Sequence, residues 1–245
     1  MQPTTDEIVA VSMVIGLIII AGSKRILDRS GLIAATVVGL SVSLLGHWTW
    51  LVILVVFLSL GSVATAWRYE EKQQLRLAEA NEGARGWRNV VANGGVASLV
   101  AVTSYYMNNP EWAYFAAVSS ISVAAADTLA SEIGSLDPRT RSIINLEAVP
   151  AGTNGGMSVT GSFAALGGGL FIAIISTTFS SISAGNIPLA FLFTSVTIIG
   201  WLGCQVDSIL GAVLENRGYI GKHTVNFLAT LSGALMAYMA YSRFL

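Results

Sequence analysis

Apolar residues in this chain come in long runs separated by short polar segments, and the runs are far longer than a strand or a half-buried soluble helix needs. Eight of them approach the about 20 residues that cross a bilayer, fewer being enough where flanking side chains snorkel. They lie at 7–23, 31–46, 48–67, 89–107, 112–134, 158–180, 187–214 and 223–244. The second is short and its link to the third, around His47, is tight. A hairpin that does not fully cross is therefore left open for that pair.

Composition agrees with the runs. Apolar residues make up 53% and charged residues 11% of the 245, with a mean hydropathy of +0.67, against about 25% charged in an average soluble domain. The expected fold is all-α: a polytopic transmembrane helical bundle of about eight helices, forming one integral membrane domain over 1–245. The single cysteine, Cys204, excludes an internal disulfide framework and a cysteine-based zinc site. Asp6 and Glu7 precede the run Ile8 to Gly22 where a cleavable signal would carry basic residues, so that run reads as a retained helix.

Charge placement adds direction. Twelve of the thirteen Lys and Arg residues fall in alternate loops, and only Arg243 falls on the other side. Cytoplasmic loops carry the excess of Lys and Arg, so both termini are expected outside, N-out and C-out. The strongly charged stretch 68–88, with Leu75, Leu77 and Ala78 among its charges, reads as a cytoplasmic amphipathic connector ending near Gly83 and Gly86, largely solvated apart from Arg85 and Arg88 at the mouth of the fourth run. No nucleic-acid partner is expected.

Several groups do not belong in hydrocarbon. Asp127, Glu132 and Asp207 lie within apolar runs, and an intramembrane carboxylate is a functional candidate because burying it costs about 3 kcal/mol even on insertion scales. Run direction puts Asn89, Asn93, Asp127, Ser131, Glu132, Asp207 and the entry to the sixth run at one depth, on the cytoplasmic side. Asn89 and Asn93 share a helix face, as do Asp127 and Ser131. Glu132 is turned about 140° from Asp127 on an ideal helix. Asp127 and Asp207 therefore rank above Glu132 as metal ligands. Hard carboxylate and amide oxygens with almost no histidine suit Mg²⁺ rather than zinc or copper.

The sixth run is entered through Ala151-Gly152-Thr153-Asn154-Gly155-Gly156-Met157-Ser158. Glycines there let backbone N–H groups approach an anion, and the following helix N-terminus adds positive potential. The Walker pattern is not matched. Asn93-Gly94-Gly95 with a later Asp127-Thr128-Leu129 echoes Asn154-Gly155-Gly156 with Asp207-Ser208-Ile209, which suggests a parallel internal repeat about an axis along the membrane normal. Such an axis would bring two Asn-Gly-Gly turns and two aspartates together.

Four segments, N-V-V-A-N-G-G at 89–95, A-A-D-T-L-A-S-E-I-G at 125–134, T-N-G-G-M-S-V-T-G at 153–161 and D-S-I-L-G-A at 207–212, resemble the membrane family that includes plant phytyl-phosphate kinase and animal transmembrane protein 19. The likeness covers essentially the whole membrane region. It implies a kinase that uses a nucleoside triphosphate, with CTP expected over ATP, to convert an isoprenoid monophosphate into the diphosphate. Glu215 stands where the family pattern suggests glutamine, and is left out of the site. On this reading Asp127, Asp207 and, below them, Glu132 are the catalytic and Mg²⁺-binding residues. Asn89, Asn93, Thr153, Asn154, Gly155, Gly156 and Ser158 bind nucleotide and phosphate, with Arg88 and Lys222 as neutralising cations. Arg139 and Arg141 are further cations at that depth. A lipid monophosphate is already an anionic nucleophile, so the chemistry asks for alignment and charge neutralisation rather than a strong base.

Two other classes share parts of this pattern. A cation-coupled transporter also uses intramembrane acids and glycine-broken helices, but places its site at the midplane with access from both sides. A lipid-phosphate cytidylyltransferase uses the same nucleotide and metal and differs in which phosphorus is attacked.

Overall fold

The computed structural model describes residues 3–78 and 83–245. Within them the eight expected runs are eight long helices: α1 (Thr5–Ser23), α2 (Arg29–Gly46), α3 (Trp48–Ala66), α5 (Trp87–Tyr106), α6 (Trp112–Gly134), α7 (Val159–Thr178), α9 (Leu189–Glu215) and α10 (Lys222–Phe244). Two short helices, α4 (Tyr69–Gln74) and α8 (Ser180–Ser183), lie in connections. α2 and α9 each end in a wider, π-helical turn, Val42–Gly46 and Gly211–Glu215. Six of the long helices are long and apolar enough to cross a membrane; α5 and α10 are the more polar pair. α2 is among the six, so its length suits a full crossing, with His47 alone joining it to α3.

Capping residues set the helix starts. Thr4 forms a capping box with Glu7 on α1, Asp28 accepts from Gly31 N–H on α2, and Ser158 accepts from Gly161 N–H on α7. Apolar side chains such as Ile19, Ile33, Val63 and Phe163 stay exposed on the outer faces, as a lipid-facing belt requires.

α6 is the hub. It packs against α3, α5, α7, α9 and α10, and its first half, residues 113–126, is buried throughout. Alanine and serine dominate that stretch because backbones approach closely there: a Cβ on Gly168 of α7 would lie 2.7 Å from Ala125 O. Interhelical hydrogen bonds fix the register. Tyr114 OH donates to Ser176 O at 2.6 Å, Ser122 Oγ to Val196 O at 2.9 Å, and Thr230 Oγ1 to Ala92 O at 3.1 Å.

Most of residues 68–76 are exposed, as expected of a solvated segment, and Lys72 is the exception. α4 occupies only the first turns of the connector, and Lys72 is 1% exposed. The Leu77 side chain contacts the position a Cβ on Gly152 would take, so the connector lies over the loop before α7. Residues 79–82 of that stretch lie outside the described residues. A further unexpected element is a two-stranded antiparallel pair, β1 (Arg141–Ser142) and β2 (Gly156–Met157), which ties the α6–α7 connection to the glycine loop.

Candidate functional site

At the end of the bundle carrying the charged connector, two polar cavities of about 370 and 360 Å³ meet. Both are lined by Asp127, Ser131, Glu132, Lys222 and Asn226. The first opens towards the glycine loop and is bounded by Arg76, Thr153, Asn154, Gly155 and Asp207. The second opens towards the start of α5 and is bounded by Asp28, Arg85, Arg88, Asn89 and Asn93.

Asp127 on α6 and Asp207 on α9 come together as the sequence suggested. Their carboxyl groups lie within hydrogen-bonding reach of each other. Among the described residues Asp207 Oδ2 is buried with no hydrogen-bond partner, while Glu215 and Lys222 contribute opposite charges nearby. Two adjacent carboxylates with an orphaned buried oxygen are a poor arrangement for the protein alone and a good one for a cation. Among the described residues no set of three or more His, Cys, Asp or Glu side chains could hold a metal by itself. Mg²⁺ fits such a donor set, since it is held by one or two carboxylates while substrate phosphates and water complete its shell.

Glu132 has a different occupation. Its Oε2 accepts from Lys72 Nζ at 2.6 Å and its Oε1 from Thr65 Oγ1 at 2.6 Å. Lys72 also donates to Ala64 O and Thr65 O, satisfying carbonyls that the end of α3 leaves open. Glu132, the lowest ranked of the three expected ligands, borders both cavities but engages both carboxylate oxygens in this buried pair, which holds the connector. The cause is the helical turn that separates it from Asp127 and aims it at α3 and α4.

The glycine loop reaches the aspartates through Gly155, whose φ is +77°. A Cβ there would strike Ala212 and come 2.8 Å from Ser208 O, so only glycine lets the loop lie against α9. Several of its polar groups are spent on the loop itself. Gly156 N–H donates to Thr153 O, Thr153 Oγ1 donates to Pro150 O, and Asn216 Nδ2 donates to Asn154 O. Ser158 Oγ caps α7 and contacts Gly134 O at 3.4 Å. The hydroxyls of Thr153 and Ser158 thus shape the cleft, and Asn154 is exposed at its edge.

Asn93 is buried and donates to Asn89 O at 2.9 Å and Asn89 Oδ1 at 3.2 Å, as their shared face required. Asn93-Gly94-Gly95 is helical, whereas Asn154-Gly155-Gly156 is a turn leading into a strand. The two aspartates of the suggested repeat meet, but its two Asn-Gly-Gly segments differ in local structure.

Arg88 is exposed, with its guanidinium 5.6 Å from the Trp87 ring. Lys222 borders both cavities. Arg139 and Arg141 do not line either: Arg139 pairs with Asp137, and Arg141 donates to Leu146 O. Arg85 lies at the mouth of the fourth run, as expected, and borders the second cavity. Arg76 and Asn226 are among the lining residues that the sequence does not single out, Arg76 because it sits in a charged run. Asn226 was legible in principle, as a lone amide on the face of Lys222 one turn into an apolar helix.

The chain belongs to the family described as integral membrane protein DUF92, whose model matches residues 12–234. The uncharacterized membrane protein MJ0933 of Methanocaldococcus jannaschii is 29% identical over 95% of this chain and 93% of its own length. Protein VTE6, chloroplastic, of Arabidopsis thaliana is 26% identical over 96% of this chain and 72% of its own. Protein PGR of the same plant is 27% identical over 80% of this chain and 74% of its own. No solved structure gives a significant match. The family suggested by the four motifs is the family found.

Proposed function

We propose that this protein is an integral membrane kinase that transfers the γ-phosphoryl group of a nucleoside triphosphate, CTP in preference to ATP, to an isoprenoid monophosphate. A phosphate oxygen of the lipid forms a bond to the γ-phosphorus as the bond from that phosphorus to the β–γ bridging oxygen breaks. The products are the lipid diphosphate and the nucleoside diphosphate. The observation that carries this reading is the Asp127–Asp207 pair, with a buried orphaned oxygen, at the junction of two polar cavities. Mg²⁺ held by that pair would neutralise phosphate oxygens of both substrates.

The residues divide the remaining work. Arg76 and the glycine loop border the cavity for the nucleotide, Arg85 and Arg88 the cavity for the lipid phosphate, and Lys222 stands between them. These cations lower the repulsion between two anions that must approach in line. The likeness to VTE6 and the resemblance of the four motifs to the phytyl-phosphate kinase family support the substrate class. Twelve Lys and Arg residues in alternate loops support a cytoplasmic opening. The buried half of α6, residues 113–126, closes the path beyond Asp127, which favours an enzyme open at one end over a carrier with alternating access.

The test is incubation of detergent-purified protein with Mg²⁺, γ-labelled CTP or ATP, and geranylgeranyl monophosphate. Label in a lipid diphosphate is expected. Label released only as pyrophosphate would assign a cytidylyltransferase instead, and absence of nucleotide consumption by folded protein would favour transport.

A further inference from the structure

The second polar cavity does not end at α5. Arg85, Asn89 and Asn93, which border it, also border a narrow apolar slot between α2, α3 and α5. Away from this polar mouth the slot is walled by Leu58, Leu54 and Leu51 on α3, and by Val38 and Gly39 on α2. From Leu58 to Leu51 is seven residues, about 10 Å along a helix. The slot thus has a polar head and an apolar depth that accepts the beginning of a hydrocarbon chain rather than a whole long one.

Arg85 is built into the mouth. Its N–H donates to Ile26 O at 2.9 Å and its carbonyl accepts from Asp28 N–H at 3.1 Å, so the backbone is fixed by the loop before α2. Its guanidinium lies against Gly61 of α3, where a Cβ would come 3.1 Å from Nη1, and Nη1 donates to Leu58 O at 3.4 Å. A side chain other than hydrogen at position 61 would displace the cation. An arginine held where an apolar slot opens into a polar cleft matches an anionic head on an apolar tail.

We propose that this slot holds the first isoprene units of the lipid substrate, with its phosphate beside Arg85 and Asn89. The cleft then has a fixed polarity: tail slot, lipid phosphate, aspartate pair, nucleotide. The inference rests on the prenyl-phosphate reading above, and assigns the α5 side to the lipid and the glycine loop to the nucleotide. Continuity with the polar cleft and the charge at the mouth argue for a phosphorylated prenyl chain as occupant rather than a neutral bilayer lipid.

The test uses full-length protein in nanodiscs and a geranylgeranyl monophosphate analogue carrying a diazirine near the head of its tail. After photolysis, label is expected on residues 38–39 and 51–58, displaced by farnesyl monophosphate and not by farnesol. Label confined to other helices, or displaced equally by farnesol, would overturn the proposal. Leu54→Trp narrows the slot and is expected to weaken competed labelling by about tenfold, and unchanged labelling in a folded variant would also overturn it. Phosphoryl transfer is measured on the same samples. Transfer with label elsewhere sinks the slot alone, whereas competed label in the slot without transfer upholds the slot and sinks the kinase.

Discussion

Lys72 of the connector and Glu132 of the hub helix form a buried ion pair at 2.6 Å, reinforced by Thr65 and two carbonyls at the end of α3. This contact ties a charged surface segment to the helix that carries Asp127, and it sets Arg76 beside the cleft. Lys72→Met leaves the carboxylate buried without its cation, and such half-removal costs about 3–5 kcal/mol. Lower thermal stability in detergent is expected for Lys72→Met or Glu132→Gln. The double variant Lys72→Met/Glu132→Leu should recover much of that stability without recovering turnover.

Gly155→Ala tests the seating of the glycine loop. The added Cβ meets Ala212 and Ser208 O at a residue with positive φ, so the loop must lift from α9. Turnover should fall by at least about tenfold through a higher KM for the nucleotide, as expected when about 1.4 kcal/mol of binding is lost, while KM for the lipid changes little. Steady-state kinetics with each substrate varied in turn checks this.

The acid limit of stability should depend on Asp137, in the loop after α6. The Arg139 side chain, the Thr160 hydroxyl at 2.6 Å and the Arg139 backbone N–H hold its carboxyl well below the usual carboxylate range. A lowered folded pKa means stabilisation that is present above the unfolded value of about 4 and lost as pH falls through the folded one. Thermal melts of the wild type should therefore decline on acidification below about pH 4. Asp137→Asn should start lower at neutral pH and decline less.

The helices and the aspartate pair were legible because each rests on a local or composition-level signal. Runs of apolar residues define membrane helices, and a carboxylate in such a run stands out at once. The fate of Glu132 was not legible, since its partner Lys72 lies 60 residues away among charges that read as solvated. The hydroxyls of Thr153 and Ser158 looked like phosphate ligands, yet are used on the backbone of their own turns. The strand pair β1–β2 escaped because two-residue strands have no periodicity to read. Arg85 could be placed at the mouth of the fourth span but not at the apolar slot, which exists only once α2, α3 and α5 are packed.

Lys222 borders both polar cavities, so its loss should be felt in the chemical step more than in binding of either substrate. Lys222→Gln is expected to lower kcat by about a hundredfold to a thousandfold, the range for removing one group that stabilises transition-state charge, while Arg88→Gln mainly raises KM for the lipid. Equal effects of the two variants on lipid KM would remove Lys222 from its position between the phosphates.

The most direct test of the central claim is Mg²⁺-dependent transfer of γ-label from CTP to geranylgeranyl monophosphate by the wild type, Asp127→Asn and Asp207→Asn, each shown to be folded by its melt. Transfer that requires Mg²⁺ in the wild type and is abolished in both variants is the predicted result. Transfer that persists in either folded variant, or proceeds equally well in a metal chelator, would contradict an aspartate pair acting through a bound cation.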